Sequence, residues 1–106
     1  MNNKLKELAI EKEMVHRKIV QTYLKALMLS EMNLNTYNNI PMGYGLTGEI
    51  SKEVQNKFKA IDQRKKCIRK LNRRRRGYVK QEMRLRFEIE NLEKIINNEL
   101  EINDIF

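Results

Sequence analysis

The chain has 106 residues, of which 41% are hydrophobic, and its formal net charge is +8. Cys67 is the only cysteine and His16 the only histidine, which excludes an intrachain disulfide framework and a Cys/His zinc cluster, so we expect no metal and no cofactor. No charged-then-apolar leader opens the chain, and its longest aliphatic run, residues 26–29, is too short to cross a bilayer, so we expect a cytoplasmic protein with no membrane contact.

A first helix is predicted over about residues 3–35, which contain neither Gly nor Pro. Apolar residues recur there at spacings of three, four or seven, as in an amphipathic helix: Leu5, Leu8, Val15, Ile19, Ala26 and Leu29. Between residues 19 and 29, however, further apolar residues point in the remaining directions: Val20, Tyr23, Leu24, Leu27 and Met28. A helix that is apolar almost all round needs more than one neighbour, so we expect a second chain or a third helix to cover it.

Residues 36–50 are predicted to form a loop, because asparagines and Pro41 are followed by three glycines. Residues 43–48, GYGLTG, match the spacing G-x-G-x-x-G, but a helix rather than a strand precedes them, so the glycines are interpreted as a chain reversal and not as a nucleotide site. Thr47 or Ser51 is expected to cap the next helix, and Glu49 and Glu53 favour its N-terminus.

A long second helix is predicted over about residues 51–103. With Val54 as heptad position a, nine of the fourteen a and d positions are apolar. The frame passes through Gly77 without slipping, which favours one continuous helix, the alternative being a break near Gly77. The predicted fold class is all-α: a single domain over residues 1–106, built as an elongated antiparallel helical hairpin whose long second helix keeps heptad register, coiled-coil or bundle-like.

The last part of the second helix leads us to predict a dimer. A first helix that ends near residue 35 reaches back along the second helix only to about residue 85. The apolar a and d positions from there onward therefore lack a partner in their own chain. The predicted oligomer interface is Leu85, Ile89, Leu92 and Ile96. An antiparallel homodimer is favoured over a parallel one, because it keeps like charges apart.

The charge is concentrated in the second helix. Residues 64–86 hold twelve Lys or Arg against one acid, whereas residues 88–104 hold six acids against Lys94. Arginine is also concentrated there: residues 64–86 contain eight Arg and four Lys, and the rest of the chain one Arg and nine Lys. Seven of these cations occupy outward positions at spacings of three and four, and they form the predicted polyanion-binding stripe, about 27 Å long: Lys66, Arg69, Lys70, Arg73, Arg76, Lys80 and Arg84.

The remaining chemistry-bearing residues are interpreted as structural. Arg64 and Arg75 fall on inward positions, where their stems should pack while their heads reach solvent or pair with Glu82 or a partner's acid. Cys67 and His16 carry no expected redox or metal role. Without a paired carboxylate or a nucleophile beside a base, we predict no catalytic residue, no small-molecule substrate and no enzyme activity.

The sequence therefore predicts a non-enzymatic binding protein whose stripe contacts a polyanion, most simply the backbone of DNA or RNA. One alternative is an acidic protein surface as partner, with the chain acting as a modulator or inhibitor of a nucleic-acid enzyme in the manner of anti-CRISPR proteins. Another is a structural coiled-coil adaptor whose charge run is only solvated surface.

Overall fold

The protein consists of two helices in a computed structural model that describes residues 2–41 and 51–105. Helix α1 spans Asn2–Asn38 and helix α2 spans Lys52–Ile105, and no strand occurs in these two ranges. The predicted all-α helical hairpin is confirmed. The predictions made for the glycine segment 43–48, Thr47 and Glu49 concern residues outside the described ranges. No stretch of the described helices is both long and apolar enough to cross a bilayer.

The start of α2 follows from a side-chain cap. The Ser51 hydroxyl oxygen accepts a hydrogen bond from the Val54 amide at 3.2 Å, and the Ser51 carbonyl accepts the Gln55 amide at 3.0 Å. Ser51 thereby satisfies a donor that the first turn of the helix leaves without a partner. Glu53 in the same turn places a negative charge at the positive end of the helix.

Helix α1 ends at Asn38, three residues beyond the predicted boundary. The Thr36 hydroxyl donates to the Met32 carbonyl at 2.8 Å, and the Asn39 amide donates to the carbonyls of Asn35 and Thr36 at 3.2 Å each. These bonds continue the helical pattern through the asparagines, and Pro41 then stops it because a residue before proline disfavours the helical conformation.

Helix α2 passes through Gly77 without interruption. A Cβ atom added at this position meets no atom within 4 Å, so neither packing nor backbone geometry requires a glycine there. The glycine therefore lowers helix stability without a compensating contact.

Gly77→Ala is expected to raise the free energy of unfolding by about 0.5–1 kcal/mol, because alanine loses less backbone entropy in a helix. Urea unfolding followed by circular dichroism measures the change. A clear loss of stability would show that Gly77 adopts a conformation that alanine cannot.

The chain divides into two compact units, residues 1–20 with 75–106, and residues 21–74. Among the described residues of the second unit, the buried side chains are Ala26 of α1 and Val54, Ile61 and Leu71 of α2. Lys57 of α2 contacts Asn39 of α1, and Ile61 contacts Asn33, so the two helices run antiparallel there.

The first unit is held together by an apolar cluster of Leu8, Val15 and Leu85. Four half-buried residues pack against it: Ile19, Tyr78, Ile89 and Leu92. Lys18 lies over the Tyr78 ring, with its Nζ 5.6 Å from the ring centroid, and His16 contacts Glu82, so the helices are antiparallel here too.

The cluster corrects the premise of the predicted dimer. Leu85, Ile89 and Leu92 of the predicted oligomer interface pack against α1 of the same chain, and Ile96 is half-buried. The prediction placed the start of α2 opposite the end of α1, whereas Lys57 is the residue that contacts Asn39. The cluster itself shows that α1 covers residues of α2 beyond 85. The dimer stays a prediction, but the reason for placing it on these residues does not hold.

Candidate nucleic-acid interface

All seven side chains of the predicted stripe are exposed on α2. Four of them, Lys66, Arg69, Lys70 and Arg73, belong to the unit of residues 21–74. The other three, Arg76, Lys80 and Arg84, belong to the unit that contains residues 75–106. The buried residues Ile61, Leu71 and Leu85 mark the side of α2 that faces α1. In each unit the stripe residues lie on the other side of the helix, which faces solvent.

None of the seven stripe side chains forms an ion pair with another described residue. The Arg69 Nε donates weakly to the Lys65 carbonyl at 3.5 Å, which leaves its charge uncompensated. Glu13, Glu53 and Glu82 instead pair with cations outside the stripe, among them Arg17, Lys57 and Arg86. The stripe therefore presents positive charge and unused donors to solvent, an arrangement that attracts anions.

Arg64 is used differently, although it lies within the same basic segment. It is half-buried, and its Nη1 donates to the Thr36 hydroxyl at 2.7 Å and more weakly to Asn33 Oδ1 and the Met32 carbonyl at 3.4 Å each. The last turn of α1 contains no basic residue, so Arg64 and the Lys57 ammonium, 2.9 Å from the Asn39 carbonyl, supply the positive charge that a helix C-terminus favours.

The observed hydrogen-bond acceptors of Arg64 differ from the expected ones, which were solvent, Glu82 or an acidic residue of a partner. Its stem packs as expected, while its head bonds neutral acceptors near the end of α1 in the same chain. Arg75, the other inward arginine, is half-buried and also has a contact within the chain. Neither residue belongs to the exposed stripe.

Arg64→Met is expected to lower the free energy of unfolding by about 1–2 kcal/mol, because methionine keeps the packing of the stem and loses the charged hydrogen bonds. Arg69→Met is the matched control on the exposed stripe and should change stability by less than about 0.5 kcal/mol. Equal effects of the two substitutions in thermal unfolding would contradict the anchoring role of Arg64.

The sequence reasoning missed two exposed apolar residues beside the stripe. Phe87 and Met83 each leave 64% of their surface exposed, in the same unit as Lys80 and Arg84. Phe87 follows Lys80 by seven residues and Arg84 by three, so it continues the line of the stripe along the helix surface. Its outward heptad position was visible in the sequence, but only the cations at such positions were selected.

A groove of about 460 Å³ lies in the unit of residues 1–20 and 75–106, where Glu82 occupies an inward position of α2. His16 Nδ1 lies 3.1 Å from Glu82 Oε2, and Arg86 Nη2 lies 4.0 Å from Glu82 Oε1. These contacts satisfy the half-buried carboxylate. Within the described ranges, no three His, Cys, Asp or Glu side chains are grouped in a way that holds a metal ion.

Over the described residues the chain is all-α, and exposed cations without an ion pair to another described residue lie on α2 in each of the two units. No protein-family model, no curated protein and no solved structure matches the chain.

Proposed function

We propose that the protein is a non-enzymatic nucleic-acid-binding protein that uses the stripe on α2 to contact backbone phosphates. The observation that carries the proposal is the set of seven exposed cations without an ion pair among the described residues. Arginine donors form a planar fork that matches two phosphate oxygens, which explains why arginine rather than lysine is concentrated in this segment.

Phe87 supports single-stranded over double-stranded nucleic acid as the ligand. An exposed aromatic ring in line with basic residues offers a surface on which an unpaired base stacks, and a phosphate backbone bound at Lys80 and Arg84 brings its bases within reach of the ring. The bases of a duplex are already stacked on one another. The phosphate contacts carry no sequence information, so binding should tolerate changes of sequence.

Phe87→Leu is expected to weaken binding of a single-stranded oligonucleotide by about fivefold or more, since stacking of one base contributes about 1–3 kcal/mol. Phe87→Tyr keeps an aromatic ring and should bind as tightly as the wild type. Fluorescence anisotropy with a labelled oligonucleotide measures both. Equal affinities of the Leu and Tyr variants would remove Phe87 from the proposed interface.

The proposal itself is tested by comparing nucleic acid with a carboxylate polyanion. Wild-type protein should bind a labelled oligonucleotide of about 20 nucleotides at low salt, and polyglutamate of matched charge should compete weakly, because carboxylates offer neither the charge density of phosphates nor bases. Absence of binding to both DNA and RNA, together with binding to polyglutamate, would assign the arginines to an acidic protein surface instead.

A further inference from the structure

An open depression of about 400 Å³ lies on the exposed side of α2, in the unit of residues 1–20 and 75–106. The described residues that line it are Gly77, Lys80, Gln81 and Arg84. Two of these four carry a positive charge and none of them is acidic. The depression therefore lies in the stripe itself, at the point where a glycine stands among its cations.

The depression exists because Gly77 has no side chain. Gly77 is exposed, and a Cβ atom placed on it meets no side chain within 4 Å, so open space lies directly above its backbone. Lys80, Gln81 and Arg84 follow Gly77 by three, four and seven residues and share its side of the helix. Because side chains on a helix lean toward its N-terminus, these three extend toward the gap that the glycine leaves.

The positive charge of the depression is not compensated within the described part of the chain. Neither Lys80 nor Arg84 forms an ion pair with another described residue. The groove at Glu82 in the same unit is different, because its carboxylate already contacts His16 and Arg86. Of these two concave surfaces, the depression at Gly77 is the one that attracts an anion.

The groups that line the depression suit a phosphate. The Arg84 guanidinium is a planar fork of donors that matches two phosphate oxygens, and the Lys80 ammonium adds a compact charge with rotatable donors. The half-buried Gln81 side chain has no hydrogen-bond partner among the described residues, so its amide is a further free donor. Glycine is the residue typical of positions where a ligand approaches the backbone closely.

We infer, on the basis of the proposed function, that the depression at Gly77 is the binding site of one phosphodiester group of the nucleic acid. Arg84 and Lys80 hold its two non-bridging oxygens, and the missing Cβ lets the phosphate lie against the helix where both side chains reach it. Gly77 thus contributes to binding although it lowers the stability of the helix. Phe87 lies three residues beyond Arg84, so a strand bound here brings a base within reach of its ring.

Gly77→Leu tests this site, because a leucine side chain fills the depression and leaves every charge of the stripe in place. Its affinity for a labelled single-stranded oligonucleotide should fall about tenfold at low salt, the effect of losing charged hydrogen bonds to one phosphate. Gly77→Ala fills less of the depression and should bind with intermediate affinity. Both variants should unfold at a higher urea concentration than the wild type, so loss of folding cannot explain weaker binding.

Asn98→Leu is the matched control for Gly77→Leu. Asn98 is exposed and uncharged, lies in the same unit, and occupies the heptad position of Gly77 about 31 Å further along α2. This variant should bind the oligonucleotide as tightly as the wild type. Equal affinities of the two leucine variants would overturn the site at Gly77 while binding by the stripe remains. Absence of binding by the wild type would overturn the proposed function and this site with it.

Discussion

Leu85→Ala is expected to lower the free energy of unfolding by about 2–4 kcal/mol, the cost of deleting a buried leucine side chain and leaving a cavity. Leu85 is 2% exposed and forms a cluster with Leu8 and Val15 of the same chain, with Tyr78, Ile89 and Leu92 packed around it. A cavity at the centre of this small cluster has few neighbours that are able to close it, because the surrounding side chains are held on two rigid helices.

Ile95→Ala is the control for this substitution, since Ile95 also lies on α2 but is 48% exposed, and it should change stability by less than about 0.5 kcal/mol.

Urea unfolding at two protein concentrations tenfold apart distinguishes packing of Leu85 inside one chain from packing between two chains. A loss caused by Leu85→Ala that is equal at both concentrations agrees with packing inside one chain, and a loss that grows with concentration would restore the predicted interface through Leu85, Ile89, Leu92 and Ile96.

The triple variant Arg69→Gln, Arg73→Gln, Arg76→Gln is expected to weaken oligonucleotide binding about 100-fold at low salt. Glutamine retains much of the length of arginine but neither its charge nor its paired donors, so the variant loses contacts to phosphate while helicity should be unchanged. The three side chains are exposed and lie away from the buried residues of α2, so their replacement should cost little stability.

A triple variant with the same change in charge separates the stripe from net charge. Lys4, Lys6 and Lys25 are exposed on α1, and their replacement by glutamine removes three positive charges far from the stripe in sequence. This control should reduce affinity clearly less than the stripe variant does, because it leaves all seven stripe cations in place. An equal loss in the two triple variants would mean that binding follows total charge and has no defined site.

The helical hairpin was predictable because its signals are local. Leu8, Val15, Ile19 and Ala26 follow one another at spacings of seven, four and seven residues, which predicts one buried side of α1, and Ser51 is a typical capping residue. The uninterrupted apolar pattern on both sides of Gly77 likewise favoured a continuous helix, which is the form that α2 takes. The outward positions of the stripe followed from the same periodicity.

The register between the helices was not predictable, because it depends on contacts between residues distant in sequence. The contact of Lys57 with the Asn39 carbonyl in one unit, and the packing of Leu85 with Leu8 and Val15 in the other, show which residues of α2 face α1. The acceptors of Arg64 near the end of α1 depend on the same register. The sequence reasoning ended the coverage of α2 by α1 near residue 85, so it did not expect Leu85, Ile89 and Leu92 to pack together with Leu8 and Val15.

The central claim is that the stripe binds phosphates, and the salt dependence of binding tests it most directly. Anisotropy titrations of wild-type protein with a single-stranded oligonucleotide, between about 50 and 200 mM salt, should give a linear plot of log affinity against log salt. With roughly three to five phosphates engaged, the expected slope is about −2 to −3.5, and it should become shallower by roughly two units in the triple arginine variant. No binding at the lowest salt, or a slope that the triple variant leaves unchanged, would contradict phosphate contact by the stripe.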